Sequence, residues 1–124
     1  MAKKILIVDD EPHIVTMLEN RIKHAGYEVI TAIDGQEGLS KAQKEKPDLI
    51  ILDLMLPKLD GYKVCRMLKF DGKYKHIPII MLSARAQEED KKIGEQVGAD
   101  GYITKPFEPQ VLLGKIKELL LDKK

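Results

Sequence analysis

Apolar residues along the chain fall into two alternating kinds of pattern. Short, nearly unbroken runs occur at Ile5–Val8, Glu28–Thr31, Leu49–Leu52, Pro78–Leu82 and Gly101–Thr104. Most are rich in β-branched residues, and the lack of polar alternation predicts strands covered on both faces. Between the runs, apolar positions step by three and four. Ile14, Leu18, Ile22 and Ala25 make one such stripe, with Pro12 at its first turn and Gly26 as its stop. A weaker helix is expected from Gly38 to Lys46, ending before Pro47. Val64 and Leu68 mark a third, Ile93 and Val97 a fourth closing at Gly98, and Leu112, Ile116, Leu119 and Leu120 a fifth after Pro109. Asp71 to Ile77 is a polar connection. The order βαβαβαβαβα calls for a mostly parallel sheet with right-handed crossovers and helices on both faces.

Chain length then bounds the answer. A chain of 124 residues fits one domain, residues 1–124, able to bury a core without disulfide or structural metal. A net charge of +1 gives no general attraction to nucleic acid or to anionic membranes. Cys65 is the one cysteine, so no internal disulfide forms and a reducing, cytoplasmic setting is expected. The run Ile5–Val8 is too short for a secretory signal, and no segment approaches a membrane span.

The polar residues that follow the strands carry the chemistry. The first strand ends in Asp9-Asp10 with Glu11 behind them, the third at Asp53, the fourth at Ser83, and the fifth runs through Thr104 into Lys105-Pro106. In open parallel sheets ligands bind outside the carboxyl ends of the strands, so four strands deliver polar groups to one edge. Each residue alone is readily explained as a turn residue or helix cap. Their joint arrival is not. Neighbouring carboxylates disfavour one another's ionisation, and a hard cation such as Mg²⁺ relieves that conflict. With the Lys105 charge and the Ser83 hydroxyl, the set suits phosphoryl transfer to a carboxylate. On this reading Asp53 attacks phosphorus, Asp10 holds the metal, Asp9 orients water on it, and Lys105 and Ser83 bind phosphoryl oxygens. The Lys105–Pro106 bond is of the type that adopts cis at modest cost.

Val8-Asp9-Asp10-Glu11-Pro12, Leu52-Asp53-Leu54-Met55-Leu56-Pro57, Asp60-Gly61, Leu82-Ser83-Ala84 and Lys105-Pro106-Phe107 resemble the receiver domain of two-component response regulators. The resemblance covers essentially the whole chain. It implies a flavodoxin-like (βα)5 three-layer sandwich whose parallel five-stranded sheet has the order 2-1-3-4-5. It also implies Asp53 as phosphoacceptor, with Asp10, Asp53 and the backbone carbonyl of Met55 as Mg²⁺ ligands and Asp9 acting through water. Ser83 and Tyr102 take the switch positions, with Lys105 on the phosphoryl group. The phosphoryl donor would be a phosphohistidine on a sensor histidine kinase or a histidine phosphotransfer protein. The signal would leave through the face made by the fourth helix, the fifth strand and the last helix, to an output partner that the residues do not specify.

Met55 and Arg85 would flank the path of an attacking water, so slow hydrolysis of the phosphoryl group is expected. That pair is also familiar from receivers joined to winged-helix transcription factors, where charged pairs on the output face make a dimer. Lys91, Asp100 and Lys115 fit such pairs, whereas Gly101 and Val111 stand where acidic partners are usual. A monomer or weak phosphorylation-dependent dimer is therefore expected, and a stand-alone receiver. The alternative is a receiver domain cut from a larger transcriptional regulator. A phosphatase of the haloacid dehalogenase type would need an acid two residues after the nucleophile, where this chain has Met55, so the expected protein is a switch and not a turnover enzyme. Cys65 reads as a small core residue. His13, His24 and His76 lack metal-ligand spacing, and Gly35 and Gly38 lack a dinucleotide fingerprint.

Overall fold

The computed structural model describes residues 2–54, 56, 60–83 and 98–121. Met55, Arg85, Lys91 and the helical pattern around Ile93 and Val97 lie outside them. The elements are β1 (Lys4–Val8), α1 (Pro12–His24), β2 (Glu28–Ala32), α2 (Gly35–Glu45), β3 (Leu49–Asp53), α3 (Gly61–Lys69), β4 (Ile79–Ser83), β5 (Gly101–Thr104) and α4 (Pro109–Leu121). All five strands are parallel and stand in the order β2-β1-β3-β4-β5. Alternate strand residues point to opposite faces. Leu6, Val8, Ile50, Leu52, Ile79 and Met81 therefore pack under α2 and α3 with Ala42, Val64, Cys65 and Leu68. Ile5, Ile7, Leu49, Ile51, Ile80 and Leu82 pack under α1 and α4 with Leu18, Ile22, Leu112 and Ile116. This gives three layers with a core on each side of the sheet, which is why the three central strands needed apolar residues at both parities.

The start of α2 departs from the sequence expectation. The helix begins at Gly35 and not at Gly38. Asp34 Oδ1 accepts a hydrogen bond from the Glu37 backbone N–H at 2.7 Å, and Glu37 Oε1 accepts one from the Ile33 N–H at 2.8 Å. This reciprocal cap satisfies helix-end donors and extends the helix back through Gly35, which periodicity would leave in the loop. At the other end Lys46 adopts a left-handed conformation, φ 48°, before Pro47.

At the amino ends of β4 and β5 a partly exposed ion pair ties the connections together. Lys69 Nζ lies 2.6 Å from Asp100 Oδ2 and donates to the carbonyls of Lys75 and Ile77. Asp100 Oδ2 also accepts the Ile79 N–H at 2.8 Å. Asp100, which the sequence offers as a dimer contact, is thus engaged inside its own chain.

Candidate functional site

The carboxyl ends of β1, β3, β4 and β5 meet at one edge, since register places Val8 beside Leu52, Asp53 beside Leu82 and Ser83 beside Thr104. Asp53 is the last residue of β3 and Ser83 the last of β4; both are buried. Asp9 follows β1 and is fully buried, whereas Asp10, its neighbour, is exposed at the rim. The difference is the strand period carried one residue beyond β1: successive side chains point to opposite sides.

Lys105 is the positive centre of this edge. Its Nζ donates to Asp9 Oδ2 at 3.0 Å, Asp53 Oδ2 at 3.3 Å and Glu11 Oε1 at 3.3 Å. The Lys105 N–H donates to the Ser83 carbonyl at 2.6 Å, which ties its backbone to the end of β4. The Lys105–Pro106 peptide bond is cis. Burial of the ammonium acts against its charge. The hydrogen bonds and Coulombic attraction of Asp9 and Asp53 outweigh that burial, so the Lys105 pKa is raised above its ordinary value. Lys105 is cationic throughout the physiological range.

Asp9 Oδ1 also accepts the Glu11 N–H at 3.0 Å, and the Asp9 N–H donates to the Ala32 carbonyl at 3.1 Å. These bonds fix the turn that turns the acidic pair toward β3. Asp9, Asp10 and Asp53 each offer a carboxylate oxygen, and the three oxygens lie within 4.8 Å of one another. An all-oxygen donor set of this charge and spacing fits a hard divalent cation. Tyr102, on β5 two residues before Thr104, is half-buried against the core beneath α2 and α3.

Every described residue named from the sequence as part of this edge reaches it: Asp9, Asp10, Asp53, Ser83 and Lys105. Glu11 enters the network more fully than expected, through its ion pair with Lys105. Its place directly after two aspartates was the available signal. Gly61 was noted only as part of a motif, yet it lies against the backbone of Asp53 and Leu54. His13 stays exposed, 3.6 Å from Glu11. Cys65 is buried on the inner face of α3 as a core residue, and burial pushes its thiol pKa up to about 12.

The family model of the response regulator receiver domain matches residues 5–117. The alkaline phosphatase synthesis transcriptional regulatory protein PhoP of Bacillus subtilis is 52% identical over 120 residues, which are 97% of this chain and 49% of that protein. The DNA-binding dual master transcriptional regulator RpaA of Synechocystis is 45% identical over 117 residues, 94% of this chain and 48% of that protein. The chain spans about half the length of the curated relatives it matches. Among solved structures, the chemotaxis protein CheY4 of Vibrio cholerae is similar at a TM-score of 0.90 and 40% identity, covering 97% of this chain and 100% of that one.

Proposed function

This chain belongs to the response regulator receiver domain family, phosphoacceptor switches of two-component signalling, and on that premise we propose that Asp53 is its phosphoacceptor. The observation that carries the reading is the position of Asp53: buried at the end of β3, 3.3 Å from the Lys105 ammonium, and clustered with Asp9 and Asp10. A buried carboxylate with a cation on one side and two more carboxylates beside it is poised to receive an anionic group once the acidic charge is balanced.

In the transfer, an Asp53 carboxylate oxygen forms a bond to phosphorus while the phosphorus–nitrogen bond of a phosphohistidine donor breaks. The electron pair returns to the imidazole nitrogen, which takes up a proton from solvent. Asp10, Asp53 and the Met55 carbonyl would hold Mg²⁺, with Asp9 acting through a water; Met55 lies outside the described residues. Bound there, Mg²⁺ supplies charge neutralisation for the phosphoryl oxygens. Lys105 turns its ammonium to the new phosphoryl oxygens, exchanging part of its bond to Asp53 for one to the phosphoryl group. Ser83, one strand away, offers its hydroxyl to the same oxygens, and Tyr102 follows on the adjacent strand. The added charge biases an existing two-state equilibrium to the extent that Ser83 and Lys105 contact it better in one state.

Donor access falls beside the acidic edge. An apolar hollow there is lined by Ile14, Met17, Pro106 and Phe107, with Glu11 and Lys105 at its rim. This face suits the helices of a sensor histidine kinase or histidine phosphotransfer protein. The output partner is not specified by the residues; that PhoP and RpaA are transcriptional regulators supports an output in transcription. A second reading, that the chain is the receiver part of a longer transcriptional regulator, is favoured by its matching about half of those relatives. A monomer before phosphorylation accords with Asp100 pairing with Lys69 and Lys115 with Glu118 inside the chain. No helix among the described residues is long and apolar enough to cross a membrane.

The test is intact mass after incubation with Mg²⁺ and acetyl phosphate. Wild type gains about 80 Da for one phosphoryl group; Asp53→Asn and a chelator-treated wild type gain nothing. A folded wild type that stays unmodified, or an Asp53→Asn variant that still gains the mass, refutes the assignment.

A further inference from the structure

Asp53 is gripped by its backbone as well as by its neighbours' charges. On one side β4 holds it: Asp53 is in register with Leu82, and the Leu54 N–H donates to the Leu82 carbonyl at 3.0 Å. On the other side stands the first turn of α3. Asp60 caps that helix, its Oδ1 accepting the Lys63 N–H at 3.0 Å, and the Gly61 N–H donates to the Leu54 carbonyl at 3.2 Å.

Gly61 is where this helix touches the acceptor strand. A Cβ there would collide with the Asp53 carbonyl oxygen and lie 2.9 Å from Leu54 Cα and 3.1 Å from the Asp53 carbonyl carbon. All three are backbone atoms, so no rotamer relieves the overlap. The other glycines differ. A Cβ at Gly38 would meet only the Val8 side chain, and at Gly72 or Gly114 it would meet open space. Gly26 and Gly98 are the described glycines with positive φ, so the demand at Gly61 is for room and not for an unusual backbone.

We propose that Gly61 is a positioning residue for phosphoryl transfer: its missing side chain lets the capped end of α3 seat directly on the Asp53–Leu54 backbone and so sets where the acceptor carboxylate stands. The proposal rests on the reading that Asp53 is the acceptor. A methyl at position 61 pushes helix and strand apart by about an ångström, the gap needed to restore ordinary van der Waals contact. The Asp53 carbonyl and its Cα share one rigid linkage, so the side chain moves with the carbonyl. Misplacement of a reacting group on that scale lowers rates by roughly 100-fold, without any loss of chemical groups.

The experiment compares the full chain as wild type, Gly61→Ala, Gly72→Ala and Ile22→Val. Ile22 is buried in the last turns of α1, at the end of that helix away from Asp9 and Asp10, and supplies a destabilised variant with an intact edge. Thermal unfolding, the rate of mass gain with acetyl phosphate, its dependence on Mg²⁺ concentration, and amide shifts are measured for each. Gly61→Ala is expected to remain folded and to gain mass roughly 10- to 100-fold more slowly at saturating Mg²⁺. Its amide shifts should concentrate at Asp53, Leu54 and Leu82, while Gly72→Ala and Ile22→Val keep the wild-type rate.

A folded Gly61→Ala with the wild-type rate overturns the proposal, as does an equal slowing in Ile22→Val. If wild type itself gains no mass, the acceptor reading fails first and this one with it. Should Gly61→Ala not fold, wild type decides: Mg²⁺ and then acetyl phosphate must shift the Gly61 and Leu54 amides together with that of Asp53. A Gly61 amide that stays still while Asp53 moves overturns the proposal.

Discussion

Replacing Lys105 by Met removes the one described cation in contact with both buried carboxylates while keeping the length and apolar stem of the side chain. Lys105 Nζ lies 3.0 Å from Asp9 and 3.3 Å from Asp53, and the three side chains are 13%, 0% and 5% exposed. The small values typical of surface pairs do not apply at that burial. A unit pair at about 4 Å in an effective dielectric near 20 attracts by roughly 4 kcal/mol, and desolvation of Lys105 offsets part of it. What the mutant leaves behind decides the outcome: Asp9 and Asp53 remain close together without their cation. Removal of one partner from a buried pair costs about 3–5 kcal/mol, and we expect a loss in that range in metal-free buffer at pH 7.

Urea unfolding with and without Mg²⁺ reads the effect. The loss should shrink when Mg²⁺ is added, because the carboxylates left without Lys105 bind the cation more tightly than those of wild type, and the variant therefore gains more stability by mass action. The pH dependence has a definite sign. A raised folded-state pKa means that the stability contributed by Lys105 is fully present below its unfolded value near 10.5 and is lost as pH rises through the folded-state pKa. The wild-type advantage is therefore flat from neutrality to about pH 9 and falls only above 10.5. Equal urea midpoints for Lys105→Met and wild type in chelator at pH 7 would refute the electrostatic account of this edge.

Two further outcomes follow from local geometry. Asp34→Ala removes the side chain that caps α2, and should lower stability by about 1 kcal/mol with an unchanged urea slope; a midpoint equal to wild type would show that Glu37 holds the helix start by itself. Cys65 is buried with its thiol pKa pushed up to about 12, so in native protein at pH 8 it should react with an aromatic disulfide reagent roughly a thousandfold more slowly than in guanidinium. Reaction at the unfolded rate would mean that the face of α3 carrying Cys65 is not packed against the sheet.

The period of burial is a local property, and it was legible. Uninterrupted apolar runs marked β1, β3 and β4, and stripes at three- and four-residue steps marked α1, α3 and α4, because each element's surroundings select residue types at that element's own repeat. The placement of Asp53, Ser83 and Lys105 at strand ends followed from the same reading, since a parallel sheet gathers its carboxyl ends on one side. The strand order did not follow from periodicity; it was implied by the family motifs. The start of α2 was misplaced because its cap is a side-chain hydrogen bond, which the apolar pattern does not record.

Tertiary structure alone decided the rest. Lys105 meets Asp9 and Asp53 across 96 and 52 residues of chain, and only strand register fixes those distances. Register also buries Asp9 and leaves Asp10 at the rim, a difference invisible in two identical residues side by side. Asp100 shows the converse: its charge suggested an outside partner, and folding spent it on Lys69 and the Ile79 N–H. The room at Gly61 exists only because α3 closes onto the backbone of Asp53. Residue types near a turn determine which groups are present at this edge; how near they stand to one another depends on the packing of strands and helices far apart in the chain.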